Sequence, residues 1–114
     1  MDDEEGVRSF IGAYLQGLNY DVDMAENGEA ALEKFQQGIY DLIISDMMMP
    51  KMLGSTLLQK VKALKPSQKV ILMTGVKDET VKERCLALGC EMYLIKPVPM
   101  KELAQKVASC FQNA

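Results

Sequence analysis

Three short apolar runs each end on a polar group: DLIIS on Asp46, KVILM on Thr74 and MYLI on Lys96. None alternates polar with apolar residues, as a strand with one wet face does. They predict strands buried on both faces, which means a parallel sheet covered by helices on each side. The intervening segments fit that reading. A helix face from Glu4 to about Gly17 carries Val7, Phe10, Ile11, Tyr14 and Leu18 inward, and YDVDMA (20–25) predicts a further short strand. Asn27 is placed to cap a helix with Ala31, Leu32 and Phe35 inward, stopped by Gly38. Gly54 leads into a helix with Leu57, Leu58, Val61 and Leu64 on one face, ended by Pro66. Another runs from about Asp78 to Leu88, closed by Gly89, and a last one starts at Pro99 with Leu103, Val107 and Phe111 inward. The order is α-β-α-β-α-β-α-β-α, and 114 residues suit a single domain.

Composition narrows the function classes. The net charge is −3 with no basic block, which argues against a direct nucleic-acid partner. No apolar stretch reaches the roughly 20 residues of a membrane helix, and an acidic start, Met-Asp-Asp-Glu-Glu, is unlike a secretory leader. Histidine is absent, which removes histidine-activated serine and cysteine nucleophiles. Cys85, Cys90 and Cys110 form no CxxC pair and read as small buried hydrophobes in a reducing cytoplasm rather than a zinc site. Chemistry falls to carboxylates, hydroxyls and Lys96.

In an open parallel sheet, function gathers at the carboxyl ends of the strands. Those ends are Asp46, Thr74 and Lys96, and Asp2 and Asp3 stand just before the first helix, on the same rim. Singly, each has an ordinary role as a cap, a strand former or a solvated charge. Together they form a set. Crowded carboxylates repel one another unless a cation neutralises them, and hard oxygen donors point to Mg²⁺. Met47 to Met49 read as loop and core packing rather than a Cu(I) site.

The residues DDEEGVR, DLIISDMMMP followed by Gly54, ILMTG and YLIKP resemble the receiver domain of two-component response regulators. The resemblance runs from Asp2 to the last helix. It implies a flavodoxin-like, doubly wound α/β fold of (βα)5 receiver topology over residues 1–114. By the same resemblance Asp46 is the phosphoacceptor, supplied by a sensor histidine kinase or a histidine phosphotransfer protein. Asp2, Asp3, Asp46 and the backbone carbonyl of Met48 hold Mg²⁺. Lys96 and Thr74 contact the phosphoryl group, Gly75 leaves space beside it, and Thr74 and Tyr93 form the switch. The Lys96-Pro97 peptide is expected to be cis. Apolar Met48 and Val76 beside the acceptor predict a long-lived acyl phosphate. Leu53 stands where the family often has an aspartate, outside the phosphate chemistry. A cytoplasmic signalling domain acting through a downstream effector protein or domain, itself no enzyme, is the function implied.

The sequence departs from the family at its start. An apolar strand of about 5–6 residues precedes the acid pair there, and here only Met1 stands before Asp2. That strand is central in the family, between 20–25 and DLIIS. Its loss leaves three expectations: a destabilised domain, direct pairing of the neighbouring strands with Asp2 and Asp3 displaced, or a strand-sharing or swapped homo-oligomer. The rival functions are a phosphorylation-independent interaction module and, more remotely, an aspartyl hydrolase, whose second acid is replaced by Met48. A flavodoxin-like cofactor carrier lacks its phosphate loop.

Overall fold

The computed structural model describes residues 5–47, 52–75 and 77–112. Helices α1 (Glu5–Gly17) and α2 (Gly28–Gln37) come first, followed by β1 (Leu42–Asp46), α3 (Gly54–Leu64) and β2 (Lys69–Thr74). The chain then forms α4 (Glu79–Ala87), β3 (Met92–Ile95) and α5 (Met100–Gln112). Among the described residues the sheet is β1-β2-β3, parallel throughout, with Asp46 opposite Met73 and Thr74 opposite Ile95.

Side chains alternate across this sheet and build two cores. Ile43, Val70, Leu72 and Tyr93 pack with Ala31, Phe35, Leu57, Leu58 and Val61 under α2, α3 and α4. Ile71, Met73, Met92 and Leu94 face the other way, onto Leu15 of α1 and Leu103, Val107 and Cys110 of α5. The fold is thus the expected flavodoxin-like α/β arrangement, helices on both faces of a parallel sheet. Its helix ends follow local chemistry. Asn27 accepts a hydrogen bond from the Ala30 amide at 2.8 Å, and Asp78 accepts from the amides of Thr80 and Val81. Gly89, at φ +103°, supplies the left-handed residue after α4.

Two expectations fail. Residues 20–25 form no strand. An extended segment becomes a strand only by laddering with a neighbour, and β1, the nearest described strand, lies across a cavity from it. Direct closure of the gap against β1 is therefore not what the chain does. Several apolar residues are also turned outward. Phe10 is 61% exposed and Leu64 55%, and Tyr14, Leu18 and Phe111 are also exposed, while Leu15 and Gly12 form the buried line of α1. Leu15 enters the core with Leu103, Val107 and Cys110, which turns Phe10 and Tyr14 away from it. Phe111 stacks on Tyr20 with ring centroids 5.6 Å apart instead of entering the core. Leu64, in the last turn of α3, runs past the edge of the core that Leu57, Leu58 and Val61 enter.

Candidate functional site

The carboxyl ends of the three strands bring the expected side chains together. Lys96 Nζ lies 2.9 Å from Asp46 Oδ2 as a hydrogen-bonded ion pair, although 50 residues separate the two. Parallel pairing makes that meeting possible. The Met47 amide donates to the Met73 carbonyl at 2.7 Å, and the Lys96 amide to the Thr74 carbonyl at 2.6 Å, so three strand ends are stitched at one level. The Lys96-Pro97 peptide is cis.

Burial sharpens the electrostatics. The Asp46 side chain is only 11% exposed and that of Lys96 27%. A carboxylate so enclosed requires a cation or several donors, and Lys96 is the cation beside it. Thr74 is buried on the neighbouring strand. Tyr93 is buried beneath the same end of the sheet, beside Thr74. Burial, above all, pushes the tyrosine hydroxyl up from its ordinary value, and the Thr74 side chain opposes the shift.

Two glycines shape the rim differently. A Cβ on Gly54 would fall 2.6 Å from the Asp46 carbonyl oxygen and 3.0 Å from Met47 Cα. The Gly54 amide donates to the Met47 carbonyl at 2.8 Å, so α3 begins pressed against the end of β1. Sequence reading noted this glycine but not its contact; its signal was a glycine opening a helix with no side-chain cap. Around Gly75, by contrast, a Cβ would meet nothing within 4 Å, which leaves open space after Thr74.

Asp2, Asp3, Met48 and Val76 lie outside the described residues. Among the described residues no group of three metal-ligating side chains occurs. The part of the expected donor set within them is a carboxylate at a strand end, a hard oxygen ligand that fits Mg²⁺ and not a soft metal. The three cysteines are buried and free. Burial pushes the Cys90 thiol up to about 11, which keeps it neutral and inert.

A doubly wound parallel sheet with an aspartate, a threonine and a Lys-cis-Pro at successive strand ends is the framework of a two-component signalling domain. The chain belongs to the response regulator receiver domain family, which it matches over residues 1–108. It is 31% identical over 114 residues to the transcriptional regulatory protein ResD of Bacillus subtilis (strain 168), covering 100% of this chain and 47% of ResD. It is 37% identical over 113 residues to the probable transcriptional regulator ycf27 of Cyanidium caldarium, covering 99% of this chain and 45% of that protein. The chain thus spans about half the length of these curated relatives. Among solved structures, the receiver domain of Francisella response regulator 1452 superposes with a TM-score of 0.93 at 28% identity, covering 98% of this chain and 93% of that one. CheY of Borrelia burgdorferi, in a complex with CheX, BeF3 and magnesium, superposes with a TM-score of 0.91 at 26% identity, covering 96% of this chain and 84% of that one. No helix among the described residues is long and apolar enough to cross a membrane.

Proposed function

We propose that Asp46 accepts a phosphoryl group from the phosphohistidine of a sensor histidine kinase or histidine phosphotransfer protein, and that the resulting change of surface acts on a downstream effector. The observation that carries this reading is the enclosed Asp46 carboxylate with the Lys96 ammonium at 2.9 Å, beside buried Thr74. Asp46 oxygen forms a P–O bond as the P–N bond breaks. Its electron pair goes to the imidazole, which departs neutral with its proton on the other ring nitrogen. Catalysis of such a transfer is mainly positioning and charge neutralisation. Lys96 follows the charge from the carboxylate to a phosphoryl oxygen. The Thr74 hydroxyl donates to a second oxygen, and Tyr93, buried at the same end of the sheet, moves with it. Gly75 leaves room for the incoming group. Mg²⁺, held by Asp46 with Asp2, Asp3 and the Met48 carbonyl, supplies further neutralisation when bound.

The test is incubation with acetyl phosphate and Mg²⁺ followed by intact mass measurement. One added phosphoryl group is expected, absent from Asp46→Asn and abolished by a chelator. A folded chain that gains no mass would overturn the reading. It would leave the interaction-module alternative, which is favoured by the cavity beside β1.

A further inference from the structure

Helix α4 is fastened to the sheet more sparsely than its neighbours. Of its nine residues only Cys85 is buried, whereas α2 buries Gly28, Ala31 and Phe35 and α3 buries Gly54, Leu57, Leu58 and Val61. At its carboxyl end the chain turns through Gly89, at φ +103°, in a paired pattern. The Gly89 amide donates to the Leu86 carbonyl at 3.0 Å, and the Cys90 amide to the Cys85 carbonyl at 3.2 Å. This is the Schellman arrangement, in which the side chains of the two outermost residues meet on the apolar side. Here both are cysteines.

The two thiols are free and belong to one core, which also holds Tyr93. After burial itself, Cys85 is what pushes both the Cys90 thiol and the Tyr93 hydroxyl up, and Cys90 acts on Tyr93 in the same sense. Cys110 belongs to the core on the opposite face of the sheet, so it is no partner for either. Two small apolar residues would pack this turn as well as two thiols do. What they could not do is bond to one another.

We propose that Cys85 and Cys90 are a redox pair, closed to an intrachain disulfide by a small-molecule disulfide such as glutathione disulfide, and that the bridge ties the end of α4 to the head of β3. The backbone hydrogen bond between the two residues already holds them close, as a short bridge requires. In the closed turn both thiols are shielded, so reaction goes through brief opening of α4, which its single buried anchor allows. Cys90, the less buried of the two, attacks first. Its sulfur bonds to one glutathione sulfur and the other glutathione leaves; the Cys85 sulfur then displaces the second from Cys90. The pair gives up two electrons to the glutathione disulfide, and the two thiol protons end on the two glutathione thiols. Burial slows this exchange without weakening its product, since strongly oxidising pairs are those whose thiolates are stabilised. The consequence rests on the switch role proposed for Tyr93: the bridge restrains the corner that this tyrosine follows.

The experiment equilibrates the 114-residue chain in glutathione buffers of increasing oxidised fraction, quenches with acid, and alkylates free thiols after unfolding. Three alkylated cysteines are expected in reducing buffer and only Cys110 in oxidising buffer, with peptide mapping placing the bridge between Cys85 and Cys90. Hydrogen exchange at the Gly89 and Cys90 amides and along Met92–Ile95 is expected to slow about tenfold in the oxidised chain. Cys85→Ala and Cys90→Ala are each expected to lose that slowing. The mapping and the exchange are both read on the parent chain, so the test stands even where a variant fails to fold. Neither uses phosphorylation, so the result is separate from that for Asp46. Three free thiols in the folded chain at the most oxidising buffer, a bridge that includes Cys110, or a bridge with unchanged exchange would overturn the proposal.

Discussion

The two sides of β1 have opposite surroundings. Toward β2, five registered residue pairs, fully buried Leu72 and Ile71, and helices on both faces leave no space. Away from β2, the same strand borders a channel, and residues 20–25 beyond it form no strand. The sequence of β1 is apolar toward both. Strand character therefore does not create a sheet by itself: the neighbour does, by closing the ladder and both cavities at once.

This difference is measurable, and the largest effect is expected from truncating equivalent leucines on the two sides. Leu72→Ala leaves a void in a closed core and is expected to cost about 2–5 kcal/mol in urea unfolding. Leu42→Ala only enlarges a cavity that is already open, and about 1 kcal/mol is expected. Equal losses would break the comparison.

Two glycine substitutions sharpen it. Gly54→Ala sets a methyl against backbone of Asp46 and Met47, which cannot step aside, and about 1–3 kcal/mol of destabilisation is expected. Gly12→Ala also begins with a clash, 2.7 Å from Met24 Sδ. That sulfur lies near the end of a flexible side chain lining the open channel, so it moves, and the gain in helix propensity brings the change near zero or to a stabilisation of about 0.5 kcal/mol. Thermal unfolding of both variants in parallel distinguishes them.

A smaller effect is expected from pH, on the closed side. Cys90 has its thiol raised from 9.0 to about 11, chiefly by burial. Its contribution is fully present below pH 9 and is lost as pH rises from about 9 to about 11, because only the unfolded thiol ionises freely there. The fall in stability over that window is expected to be shallower in Cys90→Ala than in the parent chain. Parallel curves would remove Cys90 from the account.

Much of the candidate site could be read before any coordinates. Asp46, Thr74 and Lys96 stand where apolar runs stop, and a parallel sheet has its strand ends on one rim. The caps at Asn27 and the break at Gly89 were equally local, since each depends on one side chain or one φ angle. The inward face of α1 was not readable. Phe10, Tyr14 and Leu18 repeat at helical spacing as well as Val7, Ile11 and Leu15 do, so periodicity alone ranks the two stripes equally. Packing of Leu15 and Ile11 onto the sheet and α5 chose between them.

The sequence by itself determined the fold class, the element order and the identity of the polar groups at the strand ends. These rest on periodicity, propensity and connection length, all properties of short stretches. Only the tertiary structure decided that Lys96 meets Asp46 at 2.9 Å, that Gly54 presses on the end of β1, and that residues 20–25 remain outside the sheet. Each of these depends on a partner distant in the chain, and a strand without its neighbour has no ladder to complete.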